Sequence, residues 1–386
     1  KGSPLFAGQV SQADCVVFER MRAGGCLFVA RSNSPEFGLG GHTNNPVYGT
    51  TRNAWDATRS AGGSSGGAAV AVALSMLPVA DGSDMMGSLR TPAAFNNVYG
   101  LRTSVGCVPH GPGEEVFFQQ FSVAGPMARD VPDLALLLSV QAGFDDRLPL
   151  TRRGEGPRDW GAALARDFRG ARIGWLGDLK GHLPTEPGVL DTCRAALRHF
   201  TDIGCTVDDA LPAFDFESLW RAWLDLRSFS VAGANGALYE NPEKRALLKP
   251  EALWEIERGR ALCAMRVYDA ARVRSAWYEA LRRLFATYDF LVLPAAQVFP
   301  FDAALDWPHA VGGREMDTYH RWMQAVVPAT MAGLPALAAP AGFGPQGLPA
   351  GLQIIGPAQA DLAVLQIGHA YDQASGYARR RSPLLG

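Results

Sequence analysis

Short apolar runs bounded by glycine or proline constrain this chain more than any other feature: "RIGWLGD", "CTVDDA", "FLVLPAA", "ALAAPAG" and "GLQIIGP". Runs of this length and composition predict strands buried in a covered sheet. Between and around them lie segments with apolar residues at helical spacing, "VPDLALLLSVQAG", "PGVLDTCRAALRHFTDIG" and a stretch beginning "EALWEIERGRALCAMRV" that is long enough to require a break. Upstream, "QADCVVFERMRAGG" predicts a helix ending at glycines, and "CLFVA" predicts a short buried strand after it. The alternation continues to the C-terminus without linker or repeat. It predicts an α/β fold, a single large domain over residues 1–386 with a central mixed β-sheet covered by helices on both faces. A chain of 386 residues, 47% of them hydrophobic, is long enough to bury that core.

Charge and cysteine usage narrow the partners. Net charge is −2, and no like-charge run exceeds Arg379-Arg380-Arg381, so no nucleic-acid or anionic-membrane footprint is expected. The longest apolar stretch, residues 68–80, contains Ser75 and Pro78 and is too short to span a bilayer. Six cysteines form no C-x-x-C pair and no group with the seven histidines. They read as thiols of a reducing compartment, which points to the cytoplasm, and neither metal nor cofactor is expected.

Residues 34–62, rich in Gly, Asn, Thr and Pro, form a long irregular segment of the kind that is usually functional. It leads into Gly62-Gly63-Ser64-Ser65-Gly66-Gly67, followed by the small apolar helix pattern "GGAAVAVALSM". Glycines before a helix N-terminus could cradle a phosphate, but neither G-K-[ST] nor G-x-G-x-x-G is present. Either serine satisfies G-x-S-x-G, yet the polar, loop-like segment before Gly62 does not supply the strand that a hydrolase elbow needs. A second loop, "DGSDMMGSLRTPA", offers another glycine-preceded serine, Ser88, with backbone donors at Met85, Met86 and Gly87 just before it. That is a suitable shape for a nucleophile beside an oxyanion hole. Ser64 and Ser88 lie 24 residues apart, with a helix and a strand between them that can fold the two loops together.

Residues 62–102, "GGSSGGAAVAVALSMLPVADGSDMMGSLRTPAAFNNVYGLR", resemble the signature of the amidase signature family, and the 24-residue offset matches that family's spacing of two catalytic serines. The likeness extends to "DCVVFERMRAGGCLFVARSNSPEFG", "FSVAGPMARDVPDLALLL", "YDFLVLPA" and "GLPAGLQIIGP"; residues 150–285 are the least typical and are expected to form a variable, helical, substrate-side region. The resemblance implies a Ser–cis-Ser–Lys mechanism. Ser88 would be the nucleophile that becomes the acyl-enzyme, and Ser64, joined to Gly63 by a cis peptide, would relay the proton. The oxyanion would sit on the N–H groups of Met85, Met86, Gly87 and Ser88. Ser65 would be a structural hydroxyl bonded within its loop, and Asp84 and Arg90 an ion pair bracing the nucleophile loop rather than reacting groups.

The family's general-base lysine falls before the segment matching Gly2-Ser3-Pro4, so it is expected outside the given chain; Lys1 does not occupy that motif, and arginine is too basic to replace it. Only four of the 36 basic residues are lysine, and Arg31 and Arg102, where the family carries lysines, read as compositional drift. Met86 replaces a family glycine and is expected to narrow the acyl pocket. The aromatic-rich "FESLWRAWLDLRSFSVAG" and "WPHAVGGREMDTYHRWMQ" are the segments in which substrates of this family differ; each aromatic is expected in the core rather than the pocket.

The expected function is hydrolysis of a small-molecule carboxylic amide to acid plus ammonia or amine, by a chain acting alone or as a homodimer. The alternative is the A subunit of a tRNA-dependent amidotransferase. Those subunits carry S-L-D-Q-I-G-P where this chain has Phe121-Ser122-Val123-Ala124-Gly125-Pro126 preceded by Gln119 and Gln120, which favours the hydrolase. A catalytically impaired member of the family is the remaining alternative.

Overall fold

A computed structural model describes residues 1–118, 120–153 and 159–386; Gln119 and part of the 150–285 region lie outside the described residues. Eight strands build one central sheet: β1 (Val79–Asp84), β2 (Tyr99–Arg102), β3 (Val123–Ala128), β4 (Arg172–Trp175), β5 (Thr206–Asp209), β6 (Phe290–Pro294), β7 (Ala336–Phe343) and β8 (Pro349–Ile355). Their spatial order is β1-β3-β2-β7-β8-β6-β4-β5. The run from β1 to β6 is antiparallel throughout, and β6-β4-β5 is parallel, so the sheet is mixed.

Strand alternation sends neighbouring side chains to opposite faces, and both faces are covered. Leu337, Ala339, Leu352 and Ile354 pack with α1 (Val16–Ala23), α4 (Val131–Gln141), α5 (Val189–Ala196) and α10 (Asp361–Ser375). Leu291, Leu293, Ala336 and Ile355 pack on the other face, against α6 (Phe216–Glu240), α8 (Ala264–Leu284) and α9 (Val327–Ala332). On this second face, α2 (Gly66–Ala73) and α3 (Arg90–Asn96) bury Ala68, Ala69, Val72, Ala93 and Ala94 against Met127 and Ala338. The small side chains of α2 allow that close approach.

Local signals set the helix ends. Asp130 accepts from the Asp133 N–H at the start of α4, and Asp215 accepts from Glu217 and Ser218 at the start of α6. The break in the long helical stretch falls between α7 (Pro250–Arg260) and α8. Two expectations need correction. Residues 26–30, "CLFVA", form no strand, and Leu27 is 90% exposed: β-propensity without a pairing partner does not make a strand. "CTVDDA" does form β5, but as an edge strand whose residues remain largely exposed.

The helix carrying the second serine loop rides directly on the sheet. A Cβ at Gly351 of β8 would lie 2.6 Å from Ala94 Cβ in α3. Gly351→Val is therefore expected to destabilise the fold by about 1–3 kcal/mol through overpacking. Chemical denaturation checks this, and a midpoint equal to that of the unsubstituted chain would contradict it.

Candidate active site

Both serine loops leave the second face of the sheet and meet. The N–H of Ser65 donates to the Ser88 carbonyl at 3.0 Å, which joins the loops through their backbones. The Gly63–Ser64 peptide is cis. Thr43, from the irregular segment upstream, clamps the first loop: its Oγ1 donates to the Gly62 carbonyl (2.7 Å) and accepts from the Gly66 N–H (3.2 Å). A Cβ on Gly66 would lie 2.3 Å from that same Oγ1, so glycine is required by contact. The Ser65 hydroxyl donates to the carbonyl of Ser83 in β1 at 3.4 Å; it braces the loop against the sheet rather than within itself.

The second loop is organised by one buried carboxylate. Asp84, at the end of β1, accepts from the N–H groups of Gly87 (2.9 Å) and Leu89 (3.3 Å). Arg90, the first residue of α3, binds it bidentately, Nε to Oδ2 at 3.0 Å and Nη2 to Oδ1 at 2.9 Å. The remaining Arg90 donors reach the Val326 carbonyl, Gln353 Oε1 and Thr330 Oγ1, so all five guanidinium hydrogens are placed. Arg102 of β2 adds a third tie, its Nη1 donating to the Asp84 carboxylate (3.2 Å), the Asp84 carbonyl and the Phe121 carbonyl. Its Nε and Nη2 are buried without a partner among the described residues, so a single nitrogen performs all of its bonding. All three side chains are fully buried. Burial alone would raise the Asp84 pKa, but the charges and hydrogen bonds of Arg90, with Arg102 behind them, hold it well below the usual carboxylate range.

This arrangement places most of the sequence-derived residues together. Ser64 and Ser88, together with Met85 and Met86, line one cavity of about 290 Å³. The two hydroxyls are not hydrogen-bonded to each other. Positive φ falls on Gly87 (+77°) and not on Met86, so the methionine fits without strain; Met86 borders the cavity and is 3% exposed, packed in the hydrophobic core. Of the four expected oxyanion donors, the Gly87 N–H is already bonded to Asp84; those of Met85, Met86 and Ser88 meet no acceptor among the described residues. Lys1 extends its ammonium over the Phe6 ring, and among the described residues no lysine lines the cavity.

Other parts of the wall carried no local sequence signal. Phe37 to Gly40 come from the irregular segment, and α6 contributes Arg227, Ser230, Val231, Ala234 and Asn235. Trp220 and Trp223 of α6 are core residues, as expected, and leave the cavity wall to another stripe of the same helix. That stripe, at positions 227, 230, 231 and 234, has helical spacing and is the feature of the sequence that could have disclosed it.

The Amidase family model matches residues 1–365, and the chain belongs to that family. Similar curated relatives are the glutamyl-tRNA(Gln) amidotransferase A subunits of Ralstonia nicotianae (32% identical, covering 98% of this chain and 82% of that one) and Symbiobacterium thermophilum (33%, 99% and 80%). Among solved structures, a bacterial aryl acylamidase of the amidase signature family superposes with a TM-score of 0.89 at 30% identity, covering 97% of this chain and 78% of that one. The protein is thus an amidase-type enzyme on the amidase signature fold, acting on amide C–N bonds.

The relatives correct one expectation. A chain engaging a small-molecule amide alone, as monomer or homodimer and without nucleic acid, does not agree with relatives that are named as one subunit of an enzyme of glutamyl-tRNA(Gln). They match the alternative in the functional reading better than its main form. The departure at residues 121–126 was too local to outweigh likeness over nearly the whole chain. Among the described residues, no helix is long and apolar enough to cross a membrane, and no group of His, Cys, Asp and Glu could hold a metal ion.

Asp84→Asn would leave Arg90 and Arg102 charged and buried without their anion. A loss of about 3–5 kcal/mol of stability is expected. Because the folded-state pKa of Asp84 is depressed, its contribution is fully present above the unfolded carboxylate value of about 3.9. It declines as pH falls below that value toward the folded pKa. Urea titrations of wild type and Asp84→Asn at stepped pH should therefore show a constant gap from pH 8 to about 5 that narrows in acid; a gap that widens in acid would contradict the assignment.

Proposed function

We propose that the chain breaks a carboxylic amide through an acyl-enzyme on Ser88. The observation that carries this reading is the junction of the two serine loops at one cavity, through the Ser65 N–H to Ser88 carbonyl bond. Ser88 Oγ attacks the amide carbonyl carbon. The developing oxyanion is received by the N–H groups of Met85, Met86 and Ser88, while Gly87 serves the loop through Asp84. Ser64 relays the Ser88 proton between a general base, a lysine in the amidase signature mechanism, and the departing nitrogen, so that ammonia or amine leaves neutral. Acyl transfer to water then regenerates Ser88. In this reading α6, which falls within residues 150–285, forms the substrate side of the site, since it supplies part of the wall.

The relatives' names favour a setting for this chemistry in which the chain is the amide-cleaving subunit of a tRNA-dependent amidotransferase, with partner subunits using the released nitrogen. A second reading, a free-standing hydrolase, is favoured by the likeness to the aryl acylamidase structure. Amide cleavage by the purified protein separates them. The subunit reading predicts a rate that rises when the organism's other amidotransferase subunits are added; the second predicts no change.

Three substitutions test the roles. Ser88→Ala is expected to lower kcat by at least about 10⁴-fold, Ser64→Ala by about 10²–10⁴-fold, and Ser65→Ala by far less, with a small loss of stability. Steady-state kinetics on a simple amide, with circular dichroism to confirm folding, provides the check. Full activity in folded Ser64→Ala would remove the relay.

A further inference from the structure

We propose that His42 is a positioning residue for the relay serine: through the Ser60 hydroxyl it fixes the backbone that leads into Ser64, and so sets how fast the amide is cleaved rather than how well it is bound. The inference rests on the reading of Ser64 as the proton relay, and it adds what holds that serine in place.

His42 is 5% exposed and belongs to the irregular segment upstream of the first serine loop. Its backbone crosses Gly63 closely, since a Cβ on Gly63 would lie 3.2 Å from the His42 nitrogen and 3.1 Å from the Gly41 carbonyl carbon. Gly41 is in turn pressed against Met323 and Trp322, where a Cβ would meet Met323 Sδ at 2.1 Å. The imidazole Nδ1 lies 2.7 Å from Ser60 Oγ, and the ring stands edge-on to Phe301 with centroids 5.5 Å apart.

Ser60 is fully buried and held at each polar atom. Its N–H donates to the Phe301 carbonyl (2.7 Å), its carbonyl accepts from Asn53 Nδ2 (3.1 Å), and its Oγ accepts from the Gly62 N–H (3.1 Å). The Ser60 hydroxyl hydrogen then needs an acceptor of its own, and among the described residues His42 Nδ1 is the one within reach. That assignment makes the ring neutral, with its proton on Nε2. Burial favours the same state, pushing the His42 pKa below its ordinary value against the pull of the Ala303 carbonyl. The bonds therefore run in one direction, from the Gly62 N–H to Ser60 and from Ser60 to His42.

The Gly62 carbonyl is held separately, by Thr43 Oγ1. Gly62 is thus tied at its N–H by the Ser60–His42 pair and at its carbonyl by Thr43, two residues before Ser64. His42 itself does not line the serine cavity, so its loss removes no substrate contact. What it changes is the placement of the relay hydroxyl, and a displacement of about 1 Å at a reacting group can cost about 10²-fold in rate.

Steady-state kinetics on a simple amide tests this in the full-length protein, with circular dichroism confirming the fold of each variant. His42→Phe keeps a ring beside Phe301 but offers no acceptor; kcat is expected to fall about 10- to 100-fold, with KM changed by less than about twofold. His42→Asn, whose amide oxygen can take the place of Nδ1, should restore most of kcat. Ser60→Ala removes the middle of the relay of bonds and should cost as much as His42→Phe, and the two combined should cost no more than either. In a Ser64→Ala background, His42→Phe should leave kcat unchanged. Wild-type kcat in folded His42→Phe, or a full multiplicative loss when it is combined with Ser60→Ala or Ser64→Ala, overturns the proposal while the Ser64 relay stands. If His42→Phe does not fold, Ser60→Ala decides: a fall in kcat with KM kept supports the role, and wild-type kcat overturns it. Full activity in folded Ser64→Ala removes the relay reading itself, and the proposal with it.

Discussion

The Asp84 carboxylate is the constraint on which the rest of the site depends. It lies where β1 ends and the second serine loop begins, and its hydrogen bonds set that loop's course through Gly87 and Leu89. Arg90 then ties the same carboxylate to Val326, Thr330 and Gln353, and Arg102 ties it to β2 and Phe121. Residues more than 200 positions apart in sequence thus converge on one anion. Buried ion clusters of this kind gain little net stability over a well-packed apolar core, because desolvation offsets much of the Coulombic attraction. What this one contributes is position: with every donor of Arg90 bonded, the loop has a single arrangement available to it.

That fixed loop makes the second junction meaningful. The bond between the Ser65 N–H and the Ser88 carbonyl holds the two loops in register, and Thr43 holds the first from behind. Three serines therefore have different surroundings. Ser65 turns to the sheet and bonds Ser83, whereas Ser64 and Ser88 open on the cavity. Methionine at position 86 is compatible with this plan because the left-handed turn falls one residue later, at Gly87.

Much of this was legible in the chain, for identifiable reasons. Strand and helix runs were clear where burial on a covered sheet produces unbroken apolar stretches, as in "FLVLPAA" and "GLQIIGP". "CLFVA" misled because strand formation depends on a neighbouring strand that no local pattern reveals. The serine loops announced themselves through glycines at positions of close approach. Thr43, Gln353 and Arg227 did not, since each acts across the fold on residues distant in sequence, and an arginine in a chain rich in arginine looks ordinary. The Gly87 N–H could not be excluded as an oxyanion donor until the Asp84 carboxylate was placed beside it.

The central claim is that the attacking serine is Ser88, with Ser64 and Ser65 in other roles. Reaction of the full-length protein with a fluorophosphonate, followed by peptide mass mapping, tests it most directly. The account predicts a single adduct on Ser88. An adduct on Ser64 or Ser65, or no adduct on the folded protein, would contradict it.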